Sequence, residues 1–128
     1  MLSDARAHAT LPAGDLERAR RFYEDVLGFA PAMVAPGGVF YAAGDGTQLF
    51  VFPSSGAASG SHTQVGFRVA DIEAEVADLR RRGVTFESYD FPGFDPTTSI
   101  ASFPANRSAW FRDTEGNLLG IVQMVDPD

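Results

Sequence analysis

The feature that most constrains this chain is that its sequence states one pattern twice. GDLERARRFYEDVLG, from Gly14 to Gly28, is answered by ADIEAEVADLRRRG, from Ala70 to Gly83. A short alternating run precedes each copy: Ala7, Ala9, Leu11 and Ala13 alternate with Arg6, His8, Thr10 and Pro12, and Val65, Phe67 and Val69 alternate with Gln64, Gly66 and Arg68. Period-two alternation is the signature of a strand with two unlike faces. Asp15 and Asp71 then stand where a helix N-cap is wanted. Leu16, Ala19, Phe22, Val26 and Leu27 in the first copy, and Ile72, Val76 and Leu79 in the second, fall at helical spacing, and Gly28 and Gly83 mark the helix ends.

Strand signals follow each helix. They cover Ala32 to Ala35, Val39 to Ala43 and Gln48 to Phe52 in the first half. In the second they cover Val84 to Glu87, Ala101 to Phe103 continuing into Ser108 to Arg112, and Leu118 to Met124. Pro36-Gly37-Gly38, Gly44-Asp45-Gly46 and Asp113-Thr114-Glu115-Gly116 supply turns. The repeat therefore predicts an α+β fold of two tandem βαβββ modules forming curved mixed sheets around a concave pocket. Module one is expected at about 5–53 and module two at about 63–125, joined by the small, aperiodic residues of 54–62. A chain of 128 residues suits a single domain of this kind.

Strand alternation sorts residues by face. Ala9, Leu11, Val65, Phe67, Leu119 and Ile121 belong on the helix side. His8, Thr10, Phe50, Phe52, Gln64, Gly66, Arg68, Leu118, Gly120 and Val122 belong on the other, a mixture of aromatic walls and few polar groups that suits a small-molecule pocket. The chain has eleven Phe, three Tyr and one Trp. Tyr89, Phe91 and Phe94 lie in the Pro/Gly-bearing segment YDFPGFDPTTS, where exposed rings signify a ligand lid or a subunit contact. Simple hairpin pairing around the last turn puts Phe111 with Leu118 on the pocket face and Trp110 with Leu119 in the core; a one-residue bulge exchanges the two. Arg68 is placed to meet an anionic or carbonyl group of a ligand.

Composition removes several alternatives. The formal charge is −7, and all ten basic residues are arginines, most of them on helices among acids. Neither a nucleic acid nor an anionic membrane is an expected partner. With no cysteine there is neither a disulfide framework nor a thiolate metal site. No signal-like start or apolar span is seen, which makes a cytoplasmic location the expectation. No Gly-x-Ser-x-Gly elbow occurs, and the pocket-side pattern supplies no pair of acids for general acid-base work, so no catalytic residue is assigned.

HATLPAGDLERARRFYEDVLGF, QVGFRVADIEAEVADLRRRGV and AWFRDTEGNLLGIV resemble the vicinal oxygen chelate superfamily, which includes glyoxalase I, extradiol dioxygenases and bleomycin-resistance proteins. The resemblance covers nearly the whole chain and implies a homodimer. It also implies a divalent metal held by one residue from each of four strands, positions that fall here on His8, Phe50, Gln64 and Gly120. Phe50 and Gly120 bring no donor and Gln64 brings only an amide, so no metal and no cofactor are expected. The leading expectation is a metal-independent protein that binds and sequesters an aromatic, planar ligand such as an antibiotic, as in the drug-sequestering branch of that superfamily. Its ligand-binding residues are His8, Thr10, Phe50, Phe52, Gln64, Arg68, Tyr89, Phe91, Phe94, Trp110 and Phe111. The alternative is a metal-dependent lyase, isomerase or dioxygenase using His8 and His62, with Asp90 or Asp95 brought in from a loop.

Overall fold

A computed structural model describes residues 1–55, 60 and 62–125 of the chain. It divides into two units, Met1–Gly60 with Thr114–Asn117, and Ser61–Asp113 with Leu118–Asp128. Most of the expected connection at 54–62, namely 56–59 and 61, lies outside the described residues.

In the first unit, strands β1 (Ala9–Ala13), β2 (Pro31–Ala35), β3 (Gly38–Ala42) and β4 (Gln48–Pro53) form a sheet in the order β1-β4-β3-β2. The β1–β4 pair is parallel and the other pairs are antiparallel. Helix α1 (Leu16–Arg21) crosses between β1 and β2, and the Asp15 carboxylate caps it by accepting from the Arg18 amide at 3.1 Å. Leu11, Ala13, Val39, Tyr41, Leu49 and Val51 are buried, with Ala19 from the helix. Burying an aliphatic side chain of this size contributes roughly 1.5–3 kcal/mol.

Beyond Arg21 the helix departs from the sequence expectation by widening into a π turn over Phe22–Val26, in which the Leu27 amide donates to the Phe22 carbonyl at 2.9 Å. Tyr23, which is outside the expected apolar stripe, is buried there, one turn beyond Ala19, and stacks on Tyr41 at 5.7 Å and 18°. The Tyr41 hydroxyl donates to Glu24, whose carboxylate also accepts from Arg20, each at 2.8 Å. The unit is completed by residues 114–117: Glu115 accepts from the Asp15 amide at 2.9 Å and from Arg18 at 2.8 and 3.0 Å, and the Asn117 amide donates to the Pro12 carbonyl at 3.0 Å.

The second unit repeats the plan with an addition. Strands β5 (Val65–Arg68), β6 (Phe94–Asp95), β7 (Ile100–Ser102), β8 (Asn106–Arg112) and β9 (Leu118–Met124) are ordered β5-β9-β8-β7-β6, with β5 parallel to β9. Helix α2 (Ile72–Arg81) is capped by Asp71, which accepts from the Ala74 amide at 3.1 Å, the counterpart of Asp15. Ile72, Val76 and Leu79 form its buried stripe. Gly28 and Gly83, just past the two helices, take left-handed φ of 81° and 97°.

The expected strand at Val84 to Glu87 is reduced to one bridge, Phe86 to Phe111, with the Glu87 amide donating to the Trp110 carbonyl at 2.8 Å. The outer edge of β8 is shared: β7 occupies it at Arg107 and Ser108, leaving only the far end for Phe86. The short strand β6, which has no sequence counterpart in the first half, then pairs with β7.

Candidate functional site

Each sheet has one face covered by its helix and one that is not, and the expected pocket residues divide between the uncovered faces. In the first unit Thr10 pairs with Phe50 and Phe40 pairs with Phe50, so one cross-strand row carries all three. The Phe40 and Phe50 rings lie 4.4 Å apart, and Phe52 stacks on Phe50 at 5.8 Å and 13°. The exposed His8 ring meets Phe40 edge-on at 5.3 Å and Phe50 at 6.3 Å. Offset and edge-to-face contacts of this kind are the favoured aromatic geometries. Phe40 is absent from the expected set, although its alternation with the buried Val39 and Tyr41 already assigns it to this face.

In the second unit the β8–β9 register settles the hairpin. Trp110 pairs with Gly120 and Phe111 with Leu119, one residue away from simple pairing. The connection from Asp113 to Asn117 places Gly116 at φ 88°, and this turn geometry moves the register by one. Phe111 is therefore corrected: it is buried in the core, edge-on to Phe86 at 5.5 Å, and Trp110 lies on the uncovered face. Gly66 and Gly120 pair across β5 and β9, so Gly66, Gly120 and Trp110 form one row. Gln64 precedes that row, its amide donating to the Leu118 carbonyl at 2.9 Å, and Arg68 follows it, paired with Val122. The Gln64 Oε1 atom is buried and has no hydrogen-bond partner among the described residues.

The loop rings cluster beside this row. Tyr89 meets Trp110 edge-on at 5.5 Å and 88° and Phe94 at 5.9 Å, and Phe91 lies 6.0 Å from Tyr89 and 5.7 Å from Phe94. Phe103, not among the expected residues, stacks on Phe91 at 6.1 Å. Burial pushes the Tyr89 phenol above its ordinary value, with Glu87 adding to the effect, so it stays a protonated donor. A cavity of about 280 Å³ opens here, lined by His62, Thr63, Tyr89, Phe91, Trp110 and Leu118. That is the lower end of the size range of small-molecule sites, roughly 300–1,000 Å³.

The metal site implied by family resemblance does not fit these residues. His8 has phenylalanine rings beside it, and Phe50 offers carbon only. At Gly120 a Cβ would lie 3.2 Å from both Thr63 Cγ2 and Trp110 Cδ1, so a larger ligating residue would displace the indole. Asp95 accepts from the Thr97 amide at 2.8 Å within its own turn. Among the described residues no three His, Asp or Glu side chains form a group able to hold an ion. No chemical step is therefore routed through a metal.

Comparison with known proteins agrees with the topology. The sequence model of the Glyoxalase/Bleomycin resistance protein/Dioxygenase superfamily matches residues 5–121. No curated protein matches the chain in sequence. Among solved structures, TnmS3, an antibiotic binding protein from Streptomyces sp. CB03234, is 24% identical with a TM-score of 0.71, covering 98% of this chain and 99% of its own. A glyoxalase/bleomycin resistance protein/dioxygenase from Nocardioides is 20% identical with a TM-score of 0.74, covering 97% and 85%. A lactoylglutathione lyase from Agrobacterium tumefaciens is 25% identical with a TM-score of 0.65, covering 94% and 93%.

Proposed function

This chain belongs to the Glyoxalase/Bleomycin resistance protein/Dioxygenase superfamily, and from that premise we propose that it is a metal-independent protein that binds and sequesters an aromatic, planar small molecule such as an antibiotic. The observation that carries this reading is the cavity of the second unit, in which the rings of Tyr89, Phe91 and Trp110 meet Leu118, with His62 and Thr63 completing the lining. A planar ring system gains contact area against such walls, and sequestration needs a preformed site but no catalytic group. The row of His8, Phe40, Phe50 and Phe52 in the first unit offers a second aromatic surface of the same character. An antibiotic-binding protein with this fold, TnmS3, supports the ligand class.

A thermal-shift screen of aromatic natural products, with and without divalent metals, should return metal-independent stabilisers, because a ligand of the folded state raises stability with the logarithm of its concentration over Kd. Calorimetry on variants then assigns the surface. Phe50→Ala should weaken an aromatic hit by on the order of 2 kcal/mol, and His8→Ala by about 0.5–1.5 kcal/mol. The competing reading is a metal-dependent lyase, isomerase or dioxygenase using His8 and His62. Stoichiometric metal in protein purified without chelator, lost in His8→Ala, would overturn the metal-independent reading in favour of that one.

A further inference from the structure

The uncovered face of the second unit holds a slot with a floor, a wall and one charged end. Its floor is Gly66 on β5, and its wall is the Trp110 indole, which together with the Thr63 methyl lies over the neighbouring Gly120 of the same row. Gly66 is not required by its own backbone or its neighbours: it has no left-handed φ, and a Cβ built there would meet nothing within 4 Å. Glycine inside a strand costs stability and often marks close approach by a ligand. Leaving the space above Gly66 empty keeps the floor flat beside the indole.

Arg68 lies on the same face, two residues along β5, about 6.6 Å from Gly66 at the rise of a strand. It is exposed and has no hydrogen-bond or ion-pair partner among the described residues. This sets it apart in an acidic chain. Arg18, Arg20, Arg81, Arg82, Arg107 and Arg112 are each paired with a carboxylate, Arg80 is bonded to Thr97 and Ser99, and Arg6 donates to the Gly46 carbonyl. Arg21, which also has no such partner, borders a surface hollow it shares with Glu17, Glu24 and Asp25. Arg68 is the guanidinium left for something outside the chain.

We infer that the ligand of this slot is an aromatic anion, its ring lying over Gly66 against Trp110 and its carboxylate or other anionic substituent held by Arg68. The inference rests on the aromatic-binding reading and specifies the ligand class. Guanidinium binds a carboxylate through two parallel charge-assisted hydrogen bonds, a geometry that lysine and neutral side chains do not reproduce.

The test uses 2-naphthoate and its neutral counterpart 2-naphthamide with the full chain, following calorimetry and the emission of Trp110, the sole tryptophan. At low ionic strength naphthoate should quench Trp110 and bind about tenfold more tightly than naphthamide, with the preference shrinking as salt is added. Arg68→Gln should bring the two affinities together by weakening naphthoate far more than naphthamide, and Arg68→Lys should restore part of the preference. Gly66→Val should abolish binding of both probes without lowering Tm, because the added side chain fills empty space at a backbone it can adopt. Equal affinity of the parent for both probes, or a preference that survives Arg68→Gln, overturns the anion assignment and leaves the aromatic reading standing. Unchanged binding in Gly66→Val overturns the slot. Failure of both probes to bind overturns the inference and the aromatic reading together.

Discussion

Glu115 is a single carboxylate on which several contacts of the first unit converge. Its side chain is 1% exposed, yet it accepts from the Asp15 amide, the Thr114 hydroxyl and the half-exposed Arg18. The Arg18 hydrogen bond, reinforced by the other two donors, holds its carboxyl down at about 2 against an ordinary 4.5. A carboxyl depressed in the folded state stabilises that state above the unfolded pKa, and the contribution fades as pH falls from about 4.5 toward 2. Glu115→Gln should therefore cost about 1–2 kcal/mol at pH 7, a figure reduced by solvent around Arg18. Denaturant melts of parent and variant should converge as the pH is lowered through that window; a constant difference would remove the ion pair as the cause. Individual residues of the open faces were readable because alternation is local: His8, Thr10, Phe50 and Phe52 follow from period two alone. Trp110 and Phe111 were not, since their parity depends on the geometry of the turn from Asp113 to Asn117, which hydrophobic pattern does not specify.

At the scale of elements the repeat was legible in its beginnings and obscured in its ends. Asp15 and Asp71 cap their helices as their positions require, and both first strands pair in parallel with the last strand of their unit. The π turn at Phe22–Val26 was hidden, because the spacing of Leu16, Ala19, Phe22, Val26 and Leu27 reads as one regular helix and carries no mark of where the hydrogen bonds widen. Strand β6 and the single bridge at Phe86 were hidden for a different reason: competition for the edge of β8 is decided by tertiary pairing. The buried Tyr41 hydroxyl, whose pKa is pushed far up by burial and by Glu24, ties β3 to the π turn as a permanent donor. Tyr41→Phe keeps the ring stack and removes only that bond to a charged acceptor. It should cost about 1–2 kcal/mol in urea denaturation, while a loss near zero would show that Arg20 alone satisfies Glu24.

For the whole molecule the formal charge of −7 argues against a phosphate backbone as partner, and among the described residues no helix is long and apolar enough to cross a membrane. The expected homodimer has a surface to account for. Met33 and Val34 on the edge strand β2 are 55% and 57% exposed, and unpaired apolar edges of this kind are normally covered. Sedimentation at micromolar concentration should give a dimer, and Met33→Lys should shift it toward monomer; a monomeric parent would count against association. The docking of residues 114–117 on the first unit also limits how this gene can be divided. A cut in the connection at 54–62 looks natural because it falls between the repeats, but it would leave the amino-terminal fragment without Glu115 over Asp15 and Arg18 and without Asn117 against Pro12. The two copies of the pattern are consecutive in the sequence, and yet the first is finished by a turn encoded inside the second, so the boundary between the repeats is not the boundary between the folded units.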